Sequence, residues 1–313
     1  MSSPARVACL ACWNVDLTLR VAHLPADGET VFGDALHIGP GGKGSNVAVG
    51  AARLGAQVDV IARLGDDDFG RRALPFWRAE GIGCDQVELA EGEPNAVASI
   101  LVDERGENRI AVFRGAGYRL SARQVRAARS TIERAAVLTM PLELHDEAIG
   151  AALAVAREAG VRTIVNPAPA RALPREWLDG IDMLTPNALE ARQLGGLAAD
   201  ASPADAGRRL LEQGIGAVVM TCGAEGAWLF ESGKAPLPVS AFAVQAVDTV
   251  GAGDAFNAGL AVALAEGATL ADAARFASAA AALATTREGA AAAMPRRAEV
   301  DRLMDQPTKG RAT

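Results

Sequence analysis

Two hydrophobic patterns alternate along almost the whole chain. Short apolar runs rich in β-branched residues favour buried strands, and the stretches between them repeat their apolar positions at helical spacing. The predicted strands are residues 7–12, 58–62, 136–140, 163–166, 183–185 and 217–221. The predicted helices are residues 45–54, 69–80, 122–134, 146–159, 188–194, 203–213 and the alanine-rich run 276–286. This alternation predicts an α/β fold with a doubly wound, mostly parallel sheet and helices on both faces.

Two segments depart from this rhythm. Residues 17–38 and 95–118 consist of short extended runs separated by turns, and their apolar and polar residues alternate with the period of a strand. We therefore expect these inserts to form a small antiparallel β flap, a lid over the carboxyl ends of the parallel strands. Residues 1–313 are expected to form a single domain, into which the lid is inserted.

Composition and charge narrow the classes of partner. Half of the 313 residues are hydrophobic, and the formal net charge is -7 at pH 7. Because no block of Lys or Arg stands out, we expect neither a nucleic acid nor an anionic membrane as partner. No stretch of roughly 18 apolar residues is free of a charge or a breaker, and the first residues, MSSPAR, do not have the pattern of a signal peptide.

The cysteines give no sign of a disulfide framework. Four cysteines are few for this length and indicate a reduced, cytoplasmic protein. Cys9 and Cys12 form a CxxC, but redox pairs of this kind open helices, whereas this pair lies within a β-like run. We therefore expect both to be ordinary strand residues.

The run DTVGAGDAFN, residues 248–257, is the first candidate for chemistry. Glycines before an apolar helix leave backbone N–H groups bare, and the partial positive charge of the helix N-terminus adds to them, so the run can form an anion hole. Asp254 would stay ionised in that field and accept a proton beside a bound anion, as attack of an alcohol on a phosphoryl group requires. The alternative is that Asp254 merely caps the helix.

A second glycine cluster, GPGGKGSN, covers residues 39–46. Gly39, Gly41 and Gly44 satisfy the letters of a dinucleotide-binding fingerprint, but that motif should turn directly from the first strand into its helix. The cluster is not a P-loop either, because Lys43 is followed by Gly44 and not by Ser or Thr. Two interpretations remain: a close-approach loop that grasps a small polar ligand through Lys43 and Asn46, or a plain tight turn.

Through its two glycine clusters, the sequence resembles the ribokinase family of sugar and nucleoside kinases. Its two signatures appear as GGKGSNVAVGAARLGA and DTVGAGDAFNAGL, with VNPAPARALP, LTPNALEA and TCGAEGAW between them in the family's order. The resemblance covers nearly the whole chain. It implies a ribokinase-like fold and an ATP-dependent kinase for the primary hydroxyl of a pentose, with D-ribose as the expected substrate and ribose 5-phosphate as the product.

The resemblance also implies roles for individual residues. Asp254 would be the catalytic base, and the backbone of Gly251, Ala252 and Gly253 would form the anion hole for the transferred phosphoryl group. The positions that match the family's sugar-binding residues are Asn14, Asp16, Gly42, Lys43, Asn46 and Glu143. Short polar side chains suit a polyol, because they offer both donors and acceptors.

The implied nucleotide site lies further along the chain. Asn187 and Glu190 match the family's NxxE element, which orients Mg²⁺ and its waters near the phosphates of ATP. Without the resemblance, these two residues would be interpreted as a helix start with a solvated face. Thr221 and Gly223 match a nucleotide-binding turn, and Ser278 stands near the adenine position, where some relatives have histidine or asparagine.

Ribokinases also hold a monovalent cation beside the anion hole, and the resemblance implies K⁺ here. The matching positions are Asp248, Val250, Ala284, Arg287 and Gly289, several of which would act through backbone carbonyls. Ala293 stands where serine is usual, so this site lacks one hydroxyl.

Further departures from the family bear on the substrate. Trp13 replaces a smaller aliphatic residue, and is expected either to reshape the pocket or to be buried behind its strand. Residues 95–97 read Asn-Ala-Val where Ser-Thr-Gly is common. The alternatives are therefore a kinase for another sugar or a nucleoside, and a non-catalytic sugar-binding protein on this fold. Flap strands of two subunits often pair in the family, which implies a homodimer.

Overall fold

The computed structural model describes residues 5–306. Its strands are β1 (Arg6–Ala11), β2 (Asn14–Val21), β3 (Gly33–Gly41), β4 (Gln57–Gly65), β5 (Gly83–Ala90), β6 (Ala96–Val102), β7 (Asn108–Phe113), β8 (Val137–Pro141), β9 (Arg162–Asn166), β10 (Met183–Leu184), β11 (Ala217–Thr221), β12 (Ala227–Glu231) and β13 (Leu237–Val239). Its α-helices are α1 (Lys43–Arg53), α2 (Ala73–Ala79), α3 (Ala122–Ala127), α4 (Arg129–Glu133), α5 (Asp146–Ala159), α6 (Ala188–Gly195), α7 (Pro203–Leu211), α8 (Ala252–Ala265), α9 (Leu270–Ala284) and α10 (Arg297–Met304).

The main sheet has the strand order β13-β12-β11-β10-β9-β8-β1-β4-β5 within the described residues. Every pair from β5 to β11 is parallel, whereas β12 and β13 pair antiparallel at one edge. From β1 the chain first builds outward through β4 and β5, and later returns to β8 on the other side of β1. Such a reversal opens a crevice at the carboxyl ends of the strands, where ligands of α/β proteins bind.

Helices cover both faces of this sheet, as predicted. Alternate side chains of β1 belong to different cores: Val7 and Cys9 pack in the core that includes residues of α1, α8 and α9, whereas Ala8 and Leu10 pack in the one that includes residues of α5 and α7. Burial on both faces explains why the strand is apolar from Val7 to Ala11. Cys9 is buried in this strand and Cys12 just beyond its end, both as free thiols whose pKa burial raises, so neither is poised for redox chemistry.

The two inserts form a second sheet with the order β3-β2-β6-β7. Each insert is an antiparallel hairpin, β2 with β3 and β6 with β7, as expected. The central pair is parallel, however, from Asn14 opposite Ala96 to Arg20 opposite Val102. The reason is that the leading strands of the two hairpins run in the same direction. The first hairpin runs from Asn14 to Gly41 and so extends beyond the predicted segment 17–38 at both ends. Asn14 and Asp16 therefore lie on its first strand, β2.

Element boundaries depart from the predictions where local geometry intervenes. The predicted helix 69–80 is a 3-10 turn, Gly70–Arg72, followed by α2, whose first turn accommodates Pro75. The predicted helix 122–134 is divided into α3 and α4 at Ala128. The structure also contains four elements that the sequence patterns did not predict: strands β5, β12 and β13 and helix α10. In the described part of the chain, no helix is long and apolar enough to cross a membrane.

Trp13 lies in the core and does not line the crevice. Its side chain is 2% exposed, Nε1 donates to the carbonyl of Phe69 at 3.1 Å, and its ring contacts Phe76 and Trp77 at centroid distances of 5.5 and 5.7 Å. Of the two expectations for this residue, burial behind the strand is therefore confirmed.

Candidate active site

Asp254 meets residues from the other end of the chain in the crevice. It lies in the first turn of α8, and its side chain is 5% exposed. Asn46, in the first turn of α1, donates from Nδ2 to Asp254 Oδ2 at 2.8 Å. The N-cap residue of α8 is Gly251, and Asp254 is the acidic residue of the first turn of the helix.

Lys43 is surrounded by carboxylates. Burial acts to lower its pKa, but Asp254, Glu143, Glu190 and Asp16 outweigh that effect, and the pKa of the ammonium group is raised. The cation therefore stays charged. Because it lies within electrostatic reach of all these acids, it compensates part of their mutual repulsion in a buried crevice.

The acids in turn have raised pKa values. Burial raises the pKa of Asp254, while Lys43 and the hydrogen bond from Asn46 act to lower it. Burial, against the opposing charge of Lys43, also raises the pKa of Glu143 to about 7. Burial raises the pKa of Asp16 to about 6, against the hydrogen bond from Asn14. The crevice thus combines carboxyl groups that titrate near neutrality with a fixed positive charge.

Two backbone and side-chain contacts hold these acids in place. The Lys43 N–H donates to Glu143 Oε2 at 2.8 Å, which joins the start of α1 to the loop after β8. Asn14 Nδ2 donates to Asp16 Oδ1 at 2.5 Å on strand β2. The structure therefore brings all six predicted sugar-binding positions to one region, at the carboxyl ends of β1 and β8.

The glycines of the second cluster are needed by the chain's own packing. Gly42 begins α1 with φ +96°, and a Cβ there would lie 2.1 Å from the carbonyl oxygen of Cys12. A Cβ on Gly41 would lie 2.3 Å from Asp16 Oδ1, and one on Gly44 would lie 2.5 Å from the carbonyl oxygen of Leu10. The loop thus packs tightly against the end of β1, which fixes the position of Lys43.

The N-terminus of α8 faces open space. Gly251 adopts φ +78° and lies against Ala290, whose Cα would be 2.8 Å from an added Cβ. An added Cβ on Gly253, by contrast, would meet no atom of residues 5–306 within 4 Å. The N–H of Ala252 donates to Thr249 at 3.2 Å, so Gly251 and Gly253 are the better placed N–H donors of the predicted anion hole.

The predicted nucleotide residues other than Ser278 lie at or after the carboxyl ends of the neighbouring strands β10 and β11. Asn187 and Glu190 form a reciprocal capping box at the start of α6, with Glu190 N–H to Asn187 Oδ1 at 2.9 Å and Asn187 N–H to Glu190 Oε2 at 2.8 Å. Asn187 also bridges Thr221 at the end of β11, and Gly223 opens the 3-10 turn that follows. Ser278 is buried in α9, where its hydroxyl has no hydrogen-bond partner among residues 5–306.

The predicted cation-binding positions converge through Asp248. Its Oδ1 accepts from the N–H of Val250 and its Oδ2 from the N–H of Gly289, both at 2.9 Å. The N–H of Asp248 donates to Thr285, directly after Ala284. The Arg287 side chain forms an ion pair with Glu299. Only the backbone of Arg287 is therefore left to contribute to the predicted cation site. Ala293 is fully buried and supplies no side-chain oxygen.

Two further residues behind the site are not singled out by the sequence patterns. Thr185 and Asn257 are buried and hydrogen-bonded to each other at 2.7 Å, and Asn257 contacts Gly253. Both lie inside motifs that carry the family resemblance, LTPN and DAFN. The signal that could have identified them is a polar residue beside each proposed ligand-binding turn, because a buried polar side chain needs a hydrogen-bond partner.

Comparison with known proteins gives matches over nearly the whole chain. The model of the pfkB family carbohydrate kinases matches residues 4–297. The chain is 38% identical to the ribokinase of Haemophilus influenzae over 91% of this chain and 94% of that protein, and 37% identical to the ribokinase of Schizosaccharomyces pombe over 94% and 96%.

Solved structures show the same fold. The Arabidopsis thaliana ribokinase, determined in complex with ribose and ATP, is 29% identical and superposes with a TM-score of 0.89 over 98% of this chain and 100% of that one. The family match and the curated relatives both extend over nearly the whole chain. The chain therefore belongs to the pfkB family of carbohydrate kinases.

Proposed function

We propose that the protein transfers the γ-phosphoryl group of ATP to the primary hydroxyl of D-ribose and so forms ribose 5-phosphate. The observation that carries this proposal is the buried Asp254, held by Asn46 in the first turn of α8 and next to Gly253, where an added Cβ would meet open space. A base beside an anion hole is what attack by an alcohol on a phosphoryl group needs. The ribokinase identity of the relatives supports ribose as the acceptor.

In this proposal, the polar side chains around Lys43 hold the sugar. Asp16 and Glu143 accept hydrogen bonds from sugar hydroxyls, and Asn14 and Lys43 donate to them, so the set matches a polyol. Asn46 lies between the sugar side and Asp254, because its Nδ2 is bonded to Asp254 while its buried Oδ1 has no partner in the described residues. That free acceptor is available to a sugar hydroxyl.

Asp254 acts as the general base. Its carboxylate takes the proton from the attacking hydroxyl as the new O–P bond forms and the bond from the γ-phosphorus to the bridging oxygen breaks, which releases ADP. The N–H groups of Gly251 and Gly253 stabilise the charge on the transferred phosphoryl oxygens. Lys43 and the Asn46 hydrogen bond both favour the charged form of Asp254 and so oppose the burial that raises its pKa.

The residues around Asn187 fit a nucleotide with Mg²⁺. Among residues 5–306, no cluster of three or more His, Cys, Asp or Glu side chains forms a ready-made metal cage. Mg²⁺ does not need one, because it keeps several waters and binds through one or two carboxylates together with phosphates. Glu190, within electrostatic reach of Lys43 and Asp254, would supply the carboxylate. When bound, Mg²⁺ would neutralise charge on the ATP phosphates.

The loops around Asp248 fit a monovalent cation in part. The Asp248 carboxylate gathers Val250 and Gly289 through their N–H groups, which brings the two loops and their carbonyls together. Ala293 adds no oxygen, so we propose activation by K⁺ with one ligand fewer than a serine would give.

We further propose that the second sheet is a lid within a single kinase domain and that the protein is a cytoplasmic homodimer. Strands β3 and β7 are the outer strands of that sheet, and their large apolar side chains are exposed, among them Leu36, Val112 and Phe113. Unpaired outer strands with exposed apolar residues favour pairing with a second copy.

A coupled ADP-release assay tests the proposed function. Pentoses, hexoses and nucleosides are compared with Mg²⁺-ATP, with and without K⁺. Preference for ribose supports the proposal, and preference for another sugar or a nucleoside contradicts the substrate while keeping the chemistry. Sugar binding without any turnover would contradict the kinase activity and favour a binding protein. The burial of Trp13 removes one reason for expecting a different substrate.

A further inference from the structure

Thr185 and Asn257 form a buried hydrogen-bonded chain behind the first turn of α8. Thr185 Oγ1 donates to Asn257 Oδ1 at 2.7 Å, and Asn257 Nδ2 donates to the carbonyl oxygen of Gly253 at 2.8 Å. Thr185 is 4% exposed and Asn257 is 2% exposed. Because both side chains are sealed from solvent, water cannot readily replace either bond if one partner is lost.

One end of this hydrogen-bonded chain holds the peptide plane that links Gly253, of the proposed anion hole, to Asp254. The carbonyl of Gly253 and the N–H of Asp254 belong to the same planar peptide unit. The Gly253 carbonyl accepts a hydrogen bond from Asn257 Nδ2 in addition to the backbone hydrogen bond of its own helix. This additional bond restricts rotation of the peptide plane. It thereby restricts the direction of the Asp254 N–H and of the Asp254 side chain, which starts at the next atom.

The other end of this hydrogen-bonded chain, Thr185, is anchored in the main sheet. The N–H of Thr185 donates to the carbonyl of Val165 at 3.0 Å, and Thr185 Oγ1 lies 3.3 Å from the same oxygen. Val165 belongs to β9, a central strand whose side chain here is fully buried. The first turn of α8 is therefore connected, through Asn257 and Thr185, to a buried strand that is paired on both sides within the main sheet.

The Thr185 hydroxyl also decides which way the Asn257 amide faces. The oxygen and nitrogen of an amide differ in hydrogen bonding but hardly in shape. While Thr185 donates to Oδ1, the Nδ2 group points to Gly253. Without that donor, a flipped amide would set Oδ1 against the carbonyl oxygen of Gly253 and repel it.

We infer that Thr185 and Asn257 are a positioning pair for the phosphoryl transfer, which hold the Gly253–Asp254 peptide and the base in the orientation the reaction needs. Neither residue touches the sugar in this arrangement, so both act on the chemical step and not on sugar binding. The inference rests on the proposed kinase function, since it assigns to Asp254 and the N-terminus of α8 the roles given above.

Three matched variants test the pair. Thr185→Val keeps the shape of the side chain but removes the hydroxyl, and Thr185→Ser restores it. Thr163→Val is the control, because Thr163 is equally buried on β9 and its hydroxyl donates to the Gly180 carbonyl at 2.7 Å, at the amino ends of the strands. The measurements are kcat, the KM for the sugar, and the thermal unfolding midpoint.

Thr185→Val is expected to lower kcat about tenfold, which is about 1.4 kcal/mol of barrier, with the sugar KM within about twofold of the wild type. Thr185→Ser should recover most of kcat. Thr163→Val also removes the acceptor of the Asp182 N–H, so it should lower the unfolding midpoint at least as much as Thr185→Val, without the loss of kcat. Undiminished kcat in Thr185→Val, or an equal loss in Thr163→Val, would overturn the inference.

Failure of this inference is distinct from failure of the proposed function. Turnover of a sugar other than ribose by the wild type contradicts the proposed substrate, and the same comparison is then made with that sugar. A wild type without turnover on any acceptor contradicts the proposed function and removes the positioning role with it. A kinase whose kcat ignores the Thr185 hydroxyl contradicts the positioning role alone.

Discussion

Asn46 and Asp254 lie 208 positions apart in the chain, yet Asn46 Nδ2 donates to Asp254 Oδ2 at 2.8 Å. The bond joins the first turn of α1 to the first turn of α8. It connects the sugar side of the crevice to the proposed base, and it is one of the two influences that act to lower the pKa of Asp254 against burial. Any change at Asn46 should therefore alter how Asp254 titrates.

Replacement of Asn46 should shift the pH dependence of catalysis. Asn46→Ala removes a hydrogen bond that favours the ionised carboxylate, so the pKa of Asp254 rises further and the base is protonated at higher pH. The acidic limb of the kcat/KM profile for the sugar should move to higher pH. Ser45→Ala is the control, because it removes a neighbouring buried hydroxyl that is bonded to Trp77 and does not contact Asp254. An unmoved limb in Asn46→Ala would argue against Asp254 as the base.

Glu143 should make stability depend on pH below neutrality. Its pKa is raised from the usual 4.5 to about 7, mainly by burial, so between these values the folded protein holds a proton that the unfolded chain has released. The free energy of unfolding therefore falls as pH rises through this range, and Asp16 adds a change of the same sign. Denaturant unfolding at several pH values should give a shallower slope for Glu143→Gln than for the wild type. Equal slopes would show that Glu143 titrates normally.

Gly253→Ala should separate activity from stability. The space in front of Gly253 is open, and alanine favours a helix more than glycine does, so the unfolding midpoint should stay equal or rise. The added methyl group occupies the place proposed for the phosphoryl group, and kcat/KM for ATP should fall by about tenfold or more. Gly251→Ala offers the contrast, since its φ of +78° and the nearby Ala290 predict a loss of stability as well. Full activity in Gly253→Ala would place the phosphoryl site elsewhere.

Restoring a hydroxyl at residue 293 should strengthen the cation site. Ala293→Ser adds an oxygen beside the loops gathered by Asp248, so half-maximal activation should need less K⁺ than in the wild type. A thermal shift on addition of K⁺ in place of choline gives a readout that does not depend on turnover. If neither protein responds to K⁺ in either measurement, the proposed cation site is wrong.

The elements that the sequence predicts best are those with explicit start and stop signals. Helix α5 begins and ends where predicted, at Asp146 and Ala159, because acidic residues open it and Gly160 ends it in a left-handed conformation. Strand β5 has mixed, half-exposed side chains at an edge of the sheet, so its pattern is too weak to predict. The parallel pairing of β2 with β6 is a long-range event that no local pattern encodes.

The same distinction applies to the site. Motifs locate Asp254, Lys43 and Asn187, because each stands next to a glycine turn or a helix start. The contacts between those motifs, such as Lys43 N–H to Glu143, depend on how separate strands pack and are visible only in three dimensions. Trp13 illustrates the limit, since its position beside Asn14 suggested the pocket equally well as the core.

The most direct test of the central claim compares the wild type with Asp254→Asn. This substitution keeps the size of the side chain and removes the base. ADP release with ribose and Mg²⁺-ATP should fall by about a thousandfold, because general-base catalysis of this kind contributes factors of that order, while calorimetric binding of ribose persists. A variant that retains a tenth or more of the wild-type kcat, roughly 1.4 kcal/mol of barrier or less, would contradict the assignment of Asp254 as the base.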